Sequence, residues 1–243
     1  LVLRGDLLLS VHKRLQIEYV GGQETPSQIE ELGEWIETQV ESFKMEETPW
    51  PEYRYRPDVV VWVGWQSGEI LIKFKVREQS VKAEWVHTND PVFKDSCVEF
   101  FISAGDGKYF NFEFNPIGTC LVGYGVDRGD RKHLSSEIIS KIKRVGSLGR
   151  ESFSERIKET NWELMVVIPL EIFRGTSLEN PEGKIFRANF YKCGDELSEK
   201  HYLVWNYIDT PEPDYHRPEF FGEVFFLPQR TSDVGGDDTL KAK

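Results

Sequence analysis

The sequence predicts an all-β protein: a two-sheet antiparallel β-sandwich of jelly-roll type, with an N-terminal helix and a short helical insertion. Three observations lead there. The core formers are strand formers, with 16 Phe, 7 Trp and 9 Tyr against two Met in 243 residues, and aromatic and β-branched side chains fit a half-buried pleated surface. From Pro57 onward, short alternating or wholly apolar runs recur between turn-forming clusters, the pattern of consecutive antiparallel strands. About eight to ten such runs are hard to cover as one open sheet, so two layers around a single core are expected.

Taken in order, RLQIEYV at 14–20 alternates as an opening strand and breaks at GGQETPS. SQIEELGEWIETQVESF then reads as a helix. Ser27 stands three residues before Glu30, a capping-box spacing, and Ile29, Leu32, Trp35 or Ile36, and Val40 share one stripe that packs on the sandwich. DVVVWVGWQ, ILIKFKVRE, CVEFFIS and KYFNFEFN follow as hairpin strands across Ser67-Gly68 and Gly105-Asp106-Gly107. LSSEIISKIKRV at 134–145 has helical spacing, after which NWELMVVIP, KIFRANFYKC, KHYLVWNYI and GEVFFL return to strand. The expected organisation is 1–47 as strand and helix packed on the core, 48–228 as the sandwich, and 229–243 as a flexible polar tail.

With 41 acidic and 30 basic residues the formal charge is −11, which disfavours nucleic acid and anionic membrane surfaces. The basic run KIKRVGSLGR has no neighbouring aromatics and reads as a solvated helix end. No run approaches the roughly 20 apolar residues of a membrane span. Cys97, Cys120 and Cys193 form no C-x-x-C, so neither a zinc knuckle nor a disulfide framework is indicated. A reducing compartment is the simpler fit, which favours the cytoplasm over secretion, and no leader is legible. The five His are scattered without an H-E-x-x-H, and Met45 and Met165 are too few and ill placed for haem ligation.

Side chains alternate across a strand. If Val98, Phe100 and Ile102 point into the core, Cys97, Glu99 and Phe101 point away, as do Asn111, Glu113 and Asn115 on the next run. In IFRANFYKC, Arg187, Asn189, Tyr191 and Cys193 alternate with Phe186, Ala188, Phe190 and Lys192. Three strands thus carry carboxylates, amides and an arginine on one outward wall, and the Arg187 fork suits either glutamate. A hydrated sheet face held by an ion pair would look like this. So would a surface for a sugar, whose hydroxyls need bidentate acceptors and amide donors while its C–H face needs an aromatic ring. Phe93, Trp85, Trp205, Tyr207 and Tyr215 are the rings near these strand ends. Two further alternatives are a glycoside hydrolase using Glu99 and Glu113, for which the carboxyl groups must lie roughly 5 to 9.5 Å apart, and a protein-interaction domain with no free sugar ligand.

The order of PVFKDSCVEFFIS, KYFNFEFNPIGT and RPEFFGEVFF resembles the carbohydrate-binding modules of family 9, above all their stand-alone bacterial family 9-like relatives, across approximately residues 48–228. DSCVEFF, NFEFN, RANFYKCGD and HRPEFFGE carry the likeness. It implies a β-sandwich that binds a mono- or oligosaccharide without catalysis, in carbohydrate catabolism and beside a partner glycoside hydrolase. By resemblance the first ring of a sugar slot falls on Phe93, the acidic ligand on Glu99 and the second ring on Tyr215. Both rings replace tryptophans, the family's arginine aligns with Glu113, and a loop amide aligns with Glu212. The expected ligand set is therefore Phe93 and Tyr215 as stacking rings, with Glu99, Asn111, Glu113, Asn115, Arg187, Asn189 and Tyr191 as polar partners. No cofactor is required. The family carries structural calcium, and the turns SAGDGK and VDRGDRK offer hard oxygen donors, although Gly-Asp-Gly is equally a plain hairpin turn.

Overall fold

The computed structural model describes residues 12–22 and 24–229. Its strands are β1 (Arg14–Tyr19), β2 (Phe43–Lys44), β3 (Asp58–Gln66), β4 (Glu69–Ala83), β5 (Cys97–Ser103), β6 (Tyr109–Phe114) and β7 (Cys120–Gly125). They continue as β8 (Lys132–His133), β9 (Lys143–Gly146), β10 (Phe153–Pro169), β11 (Ile185–Cys193), β12 (Tyr202–Val204) and β13 (Gly222–Phe226), with helices α1 (Ile29–Gln39) and α2 (Ser136–Ile139). Apart from Gln229, the expected flexible tail lies outside the described residues.

The all-β class holds, but the division into two antiparallel sheets does not. Hydrogen bonding follows one path, β8-β7-β6-β5-β11-β13-β1-β3-β4-β10-β9, with β12 on β11 and β2 on β3. The link is β1, which pairs in parallel with β13 on one side and β3 on the other. It occupies the two edges that separate sheets would leave open, and the whole curls into a half-barrel.

The concave side holds the main core. Val98, Phe100, Ile102, Phe110, Phe112 and Phe114 all face it, as alternation requires, and meet Phe74, Val76, Trp162 and Val166 from the other half. Phe100 stacks on Phe190 with centroids 4.9 Å apart. Met45, expected outside the sandwich, is buried in this core. The other face of β5, β6 and β11 is not a hydrated surface either. Trp50, Val92, Ile208, Tyr215 and Phe221 fold over it and pack with Cys97, Phe101, Tyr109 and Tyr191, so these strands are buried on both faces. Phe101, Tyr109 and Tyr191, apolar rings at supposedly outward positions, are the signal of that cover.

Helix α1 lays Leu32, Ile36 and Val40 on Trp62, Leu71, Met165 and Val167, on the convex side of β3, β4 and β10. The capping box does not form. The N-cap is Gln28, with no side-chain bond to the first turn. The expected helix over 134–145 reduces to the single turn of α2, where Ser135 accepts from the Ile138 N–H, and Lys143–Gly146 becomes β9 on the free edge of β10. Gly146 permits this, because a Cβ there would lie 2.1 Å from the Pro116 carbonyl oxygen.

One member of the inward set is charged. Lys192 continues the row Phe186, Ala188, Phe190 and is fully buried. Its Nζ lies 2.9 Å from Glu78 Oε2, donates to Cys193 O at 2.9 Å and sits 2.8 Å from His201 Nε2. Trp162 Nε1 donates to the other Glu78 oxygen at 2.6 Å. Burial and the Lys192 charge hold His201 well below its ordinary value. The ring is therefore neutral, with Nδ1–H donating to Glu199 O (2.8 Å) and Nε2 accepting from Lys192.

Breaking such a pair from one side leaves a buried charge without a partner. Lys192→Met should cost about 3–5 kcal/mol in urea unfolding followed by tryptophan fluorescence, and adding Glu78→Met should restore much of the loss. Equal destabilisation in the single and double variants would contradict this.

Candidate functional site

The covered face of β5, β6 and β11 carries a row of polar side chains set by register. Glu99 pairs directly with Glu113 across β5 and β6, and Tyr191 and Cys193 of β11 stand opposite Glu99 and Cys97. Connecting segments close a cavity of about 420 Å³ over this row. The turn Val92–Lys94 contributes Phe93, the β7–β8 connection Arg128 and Arg131, the end of β11 Cys193 and the residues after it Asp195, β12 Tyr202, and the 213–216 segment Pro213, Tyr215 and His216.

Each wall is held by groups beneath it. The Asp95 carboxylate accepts from Glu84 N–H (3.0 Å), Trp85 N–H (3.1 Å) and Asn115 Nδ2 (3.0 Å), anchoring the turn that carries Phe93. Tyr215 stacks on Tyr191 at 4.1 Å and 8°, and its hydroxyl donates to Lys192 O (3.0 Å) and Leu203 O (3.2 Å). Arg131 crosses β7 above two glycines. A Cβ at Gly125 would lie 2.4 Å from Arg131 Cα, and one at Gly123 2.4 Å from Asn111 Oδ1. Burial and the charges of Arg131 and Arg128 push His216 down to about 2. It therefore stays neutral and accepts from Arg131, while its Nδ1 pairs with the Tyr109 hydroxyl at 2.8 Å.

Glu99 and Glu113 are 3 % and 2 % exposed, which decides their chemistry. Burial, then the Glu113 charge, pushes Glu99 well above the usual carboxylate range. Burial raises Glu113 to about 7, against the opposing pull of Arg131 and of Asn111, whose Nδ2 donates to Glu113 Oε1 at 2.8 Å. Arg131 Nη2 is 3.9 Å from the same oxygen. Two facing carboxyls that both hold protons more tightly than usual share them as a pair, so the floor can offer a donor next to an acceptor.

Of the residues expected at the site, the structure brings Phe93, Glu99, Glu113 and Tyr215 to the cavity, and Asn111 supports Glu113 from below. The others are elsewhere. Asn115 is occupied by Trp85 O, Asp95 and Thr119 N–H, and Asn189 by the backbone of Phe190 and Asn206. Tyr191 lies under Tyr215 and donates to its carbonyl at 3.1 Å. Arg187 is on the right face but four residues from Tyr191, about 13 Å along the strand, where it meets His12 and Glu219 O and lines a separate groove. Tyr215 cannot offer a second free face, since Tyr191 covers one. Arg128, Arg131, Asp195, Tyr202 and His216 were not foreseen. VDRGDRK was legible only as an acidic turn, yet it supplies both arginines.

In the two candidate calcium turns, the carboxylates of Asp106 and Asp127 have other partners. Asp106 accepts from Lys108 N–H (3.1 Å) and the Tyr124 hydroxyl, and Asp127 accepts from Gly129 N–H (2.7 Å) and Asp130 N–H (2.8 Å). Among the described residues neither turn assembles three acidic, thiol or imidazole ligands.

Comparison with known proteins fits this geometry. The family model for carbohydrate-binding family 9 matches residues 32–226. A candidate carbohydrate-binding protein from Bacteroides uniformis ATCC 8492, known from a crystal structure, is 36% identical, with TM-score 0.80 over 88% of this chain and 99% of that one. A family 9 module from Caldicellulosiruptor kristjanssonii in complex with glucose has TM-score 0.54 at 12% identity, covering 92% of this chain and all of that one (100%). The structure of such a module with cellotriose, from the same organism, gives 0.53 at 10% identity, covering 92% and 98%; these two show likeness of fold. No curated protein sequence matches.

Because Glu113 and Glu99 bind protons more tightly when folded, their contribution to stability is complete below the unfolded carboxylate value near 4.5 and declines as pH rises above it, the Glu113 share being lost as pH passes about 7. In calorimetry with chelator present, the unfolding temperature should fall from pH 5 to pH 8, and Glu113→Gln should flatten that slope and exceed the parent at pH 8. Parallel curves would show that Glu113 does not titrate as a buried group.

Proposed function

We propose that this chain, which belongs to carbohydrate-binding family 9, binds a mono- or oligosaccharide in the cavity above Glu99 and Glu113 and releases it unchanged. One observation carries this: a single cavity joins a carboxyl-paired floor and an arginine wall to the half-buried ring of Phe93 and to Tyr202 and Tyr215. A pyranose needs that combination. Neighbouring hydroxyls can accept from the protonated carboxyl and donate to the ionised one, Arg131 and Arg128 can donate to a further oxygen, and Phe93 can cover a C–H face. The volume suits a small-molecule site.

Hydrolysis fits less well. The two glutamates project side by side from one sheet face, so a sugar would lie over both, whereas glycoside hydrolysis requires carboxyl groups flanking the scissile bond. The same function assigns the chain a role beside a glycoside hydrolase in carbohydrate catabolism.

Calorimetry at neutral pH against glucose, cellotriose and a wider glycan panel should give saturable binding of at least one ligand with no reducing sugar released. Phe93→Ala should weaken it about 3- to 10-fold, the worth of one aromatic contact. Gly125→Ala, which forces Arg131 off β7, should weaken it while leaving the far-ultraviolet circular dichroism unchanged. No heat with any glycan would favour a protein-interaction role.

A further inference from the structure

Cys97 and Glu99 are two residues apart on β5 and so project from the same face. Cys193 of β11 is the register partner of Cys97. The two sulfurs and a Glu99 oxygen all lie within 4.8 Å of one another, with Cys193 Sγ 3.3 Å from Glu99 Oε1. All three residues are at least 97 % buried, at 0 %, 3 % and 2 % exposure. Among the described residues, no other three Cys, His, Asp or Glu donors converge in this way.

We propose that Cys97, Glu99 and Cys193 bind one thiophilic divalent cation, with zinc the best fit. Zinc takes sulfur at about 2.3 Å and carboxylate oxygen at about 2.0–2.2 Å in a tetrahedron. Those bond lengths require donor separations of roughly 3.5–3.8 Å, within reach of side-chain rotation from the separations here. Two thiolates and one carboxylate select zinc over calcium or magnesium, which prefer oxygen alone. Two of the ligands, Glu99 and Cys193, also line the cavity, so the fourth position opens on it and can take water or a ligand hydroxyl. Binding releases the thiol protons, and that of Glu99, to solvent. Two thiolates, one carboxylate and a dication sum to a single negative charge, facing Arg128 and Arg131 across the cavity. No sugar is needed for the metal to bind, so the site is tested without one.

The test uses the full chain, reduced with a phosphine and stripped with chelator, and titrated with cobalt(II) and then zinc. Cobalt should produce a thiolate-to-metal charge-transfer band at one equivalent with the intensity of two thiolates. Zinc should abolish the band, and excess calcium should leave it unchanged. Cys97→Ser and Cys193→Ser should each weaken binding at least about 100-fold, more than loss of an outer-shell group, while Cys120→Ala, a buried thiol outside the cluster, should titrate like the parent. Absence of a charge-transfer band in the parent protein overturns the site, as does binding that survives the double Cys97→Ser/Cys193→Ser change. The parent spectrum alone decides the matter if a variant does not fold. Glycan binding without metal binding, or the reverse, separates this site from the sugar function.

Discussion

Lys192 ties the molecule together from both faces of β11. Its ammonium crosses the main core to Glu78 on β4, beside Trp162 of β10, and its carbonyl on the same strand accepts the hydroxyl of Tyr215. A buried ion pair is weak evidence of net stability, because desolvation offsets much of the attraction. Its effect here is positional. An ammonium in an apolar core must meet its carboxylate, so β11 cannot slide relative to β4 without leaving both charges unpaired. The half-barrel's two arms therefore close in one relative position, and the strand that bears Tyr191 and Cys193 is held in place.

That position matters because the polar row under the cavity is assembled across strands. Glu113, Glu99 and Tyr191 come from three different runs and meet only through register. A slip of one residue would turn each side chain to the opposite face. Above the row, the loops do two things together: they exclude water, which raises both glutamates, and they deliver the arginines that moderate the rise at Glu113. A cavity of about 420 Å³ with a paired-carboxyl floor follows from burying a polar row under loops.

Gly123-Tyr124-Gly125 shows how local sequence serves this arrangement. It sits within a regular strand. The absence of two Cβ atoms makes room for Asn111 on one side and Arg131 on the other. Cys97 and Cys193, unpaired and 96 residues apart in the chain, become neighbours by the same pairing that aligns Glu99 with Tyr191.

By itself the sequence determined the strand character, the inward row of phenylalanines and the helix α1 with its Leu32, Ile36 and Val40 stripe, and it singled out Phe93, Glu99 and Tyr215, which the structure sets around one cavity. These depend on alternation, helical spacing and a family pattern, all local in the chain. It did not determine that β1 would join the two arms in parallel, that Lys143–Gly146 would complete the edge of β10, or that Lys192 would find Glu78. Nor did it tell Asn115 and Asn189, held by backbone partners, from Asn111 beside Glu113, or reveal that Arg187 lies at the wrong end of its strand. Arg131 and His216 entered the site from loops. Alternation tells which face a side chain takes, but position along the strand and the course of a loop are set by partners remote in sequence, and only the tertiary structure brings those together.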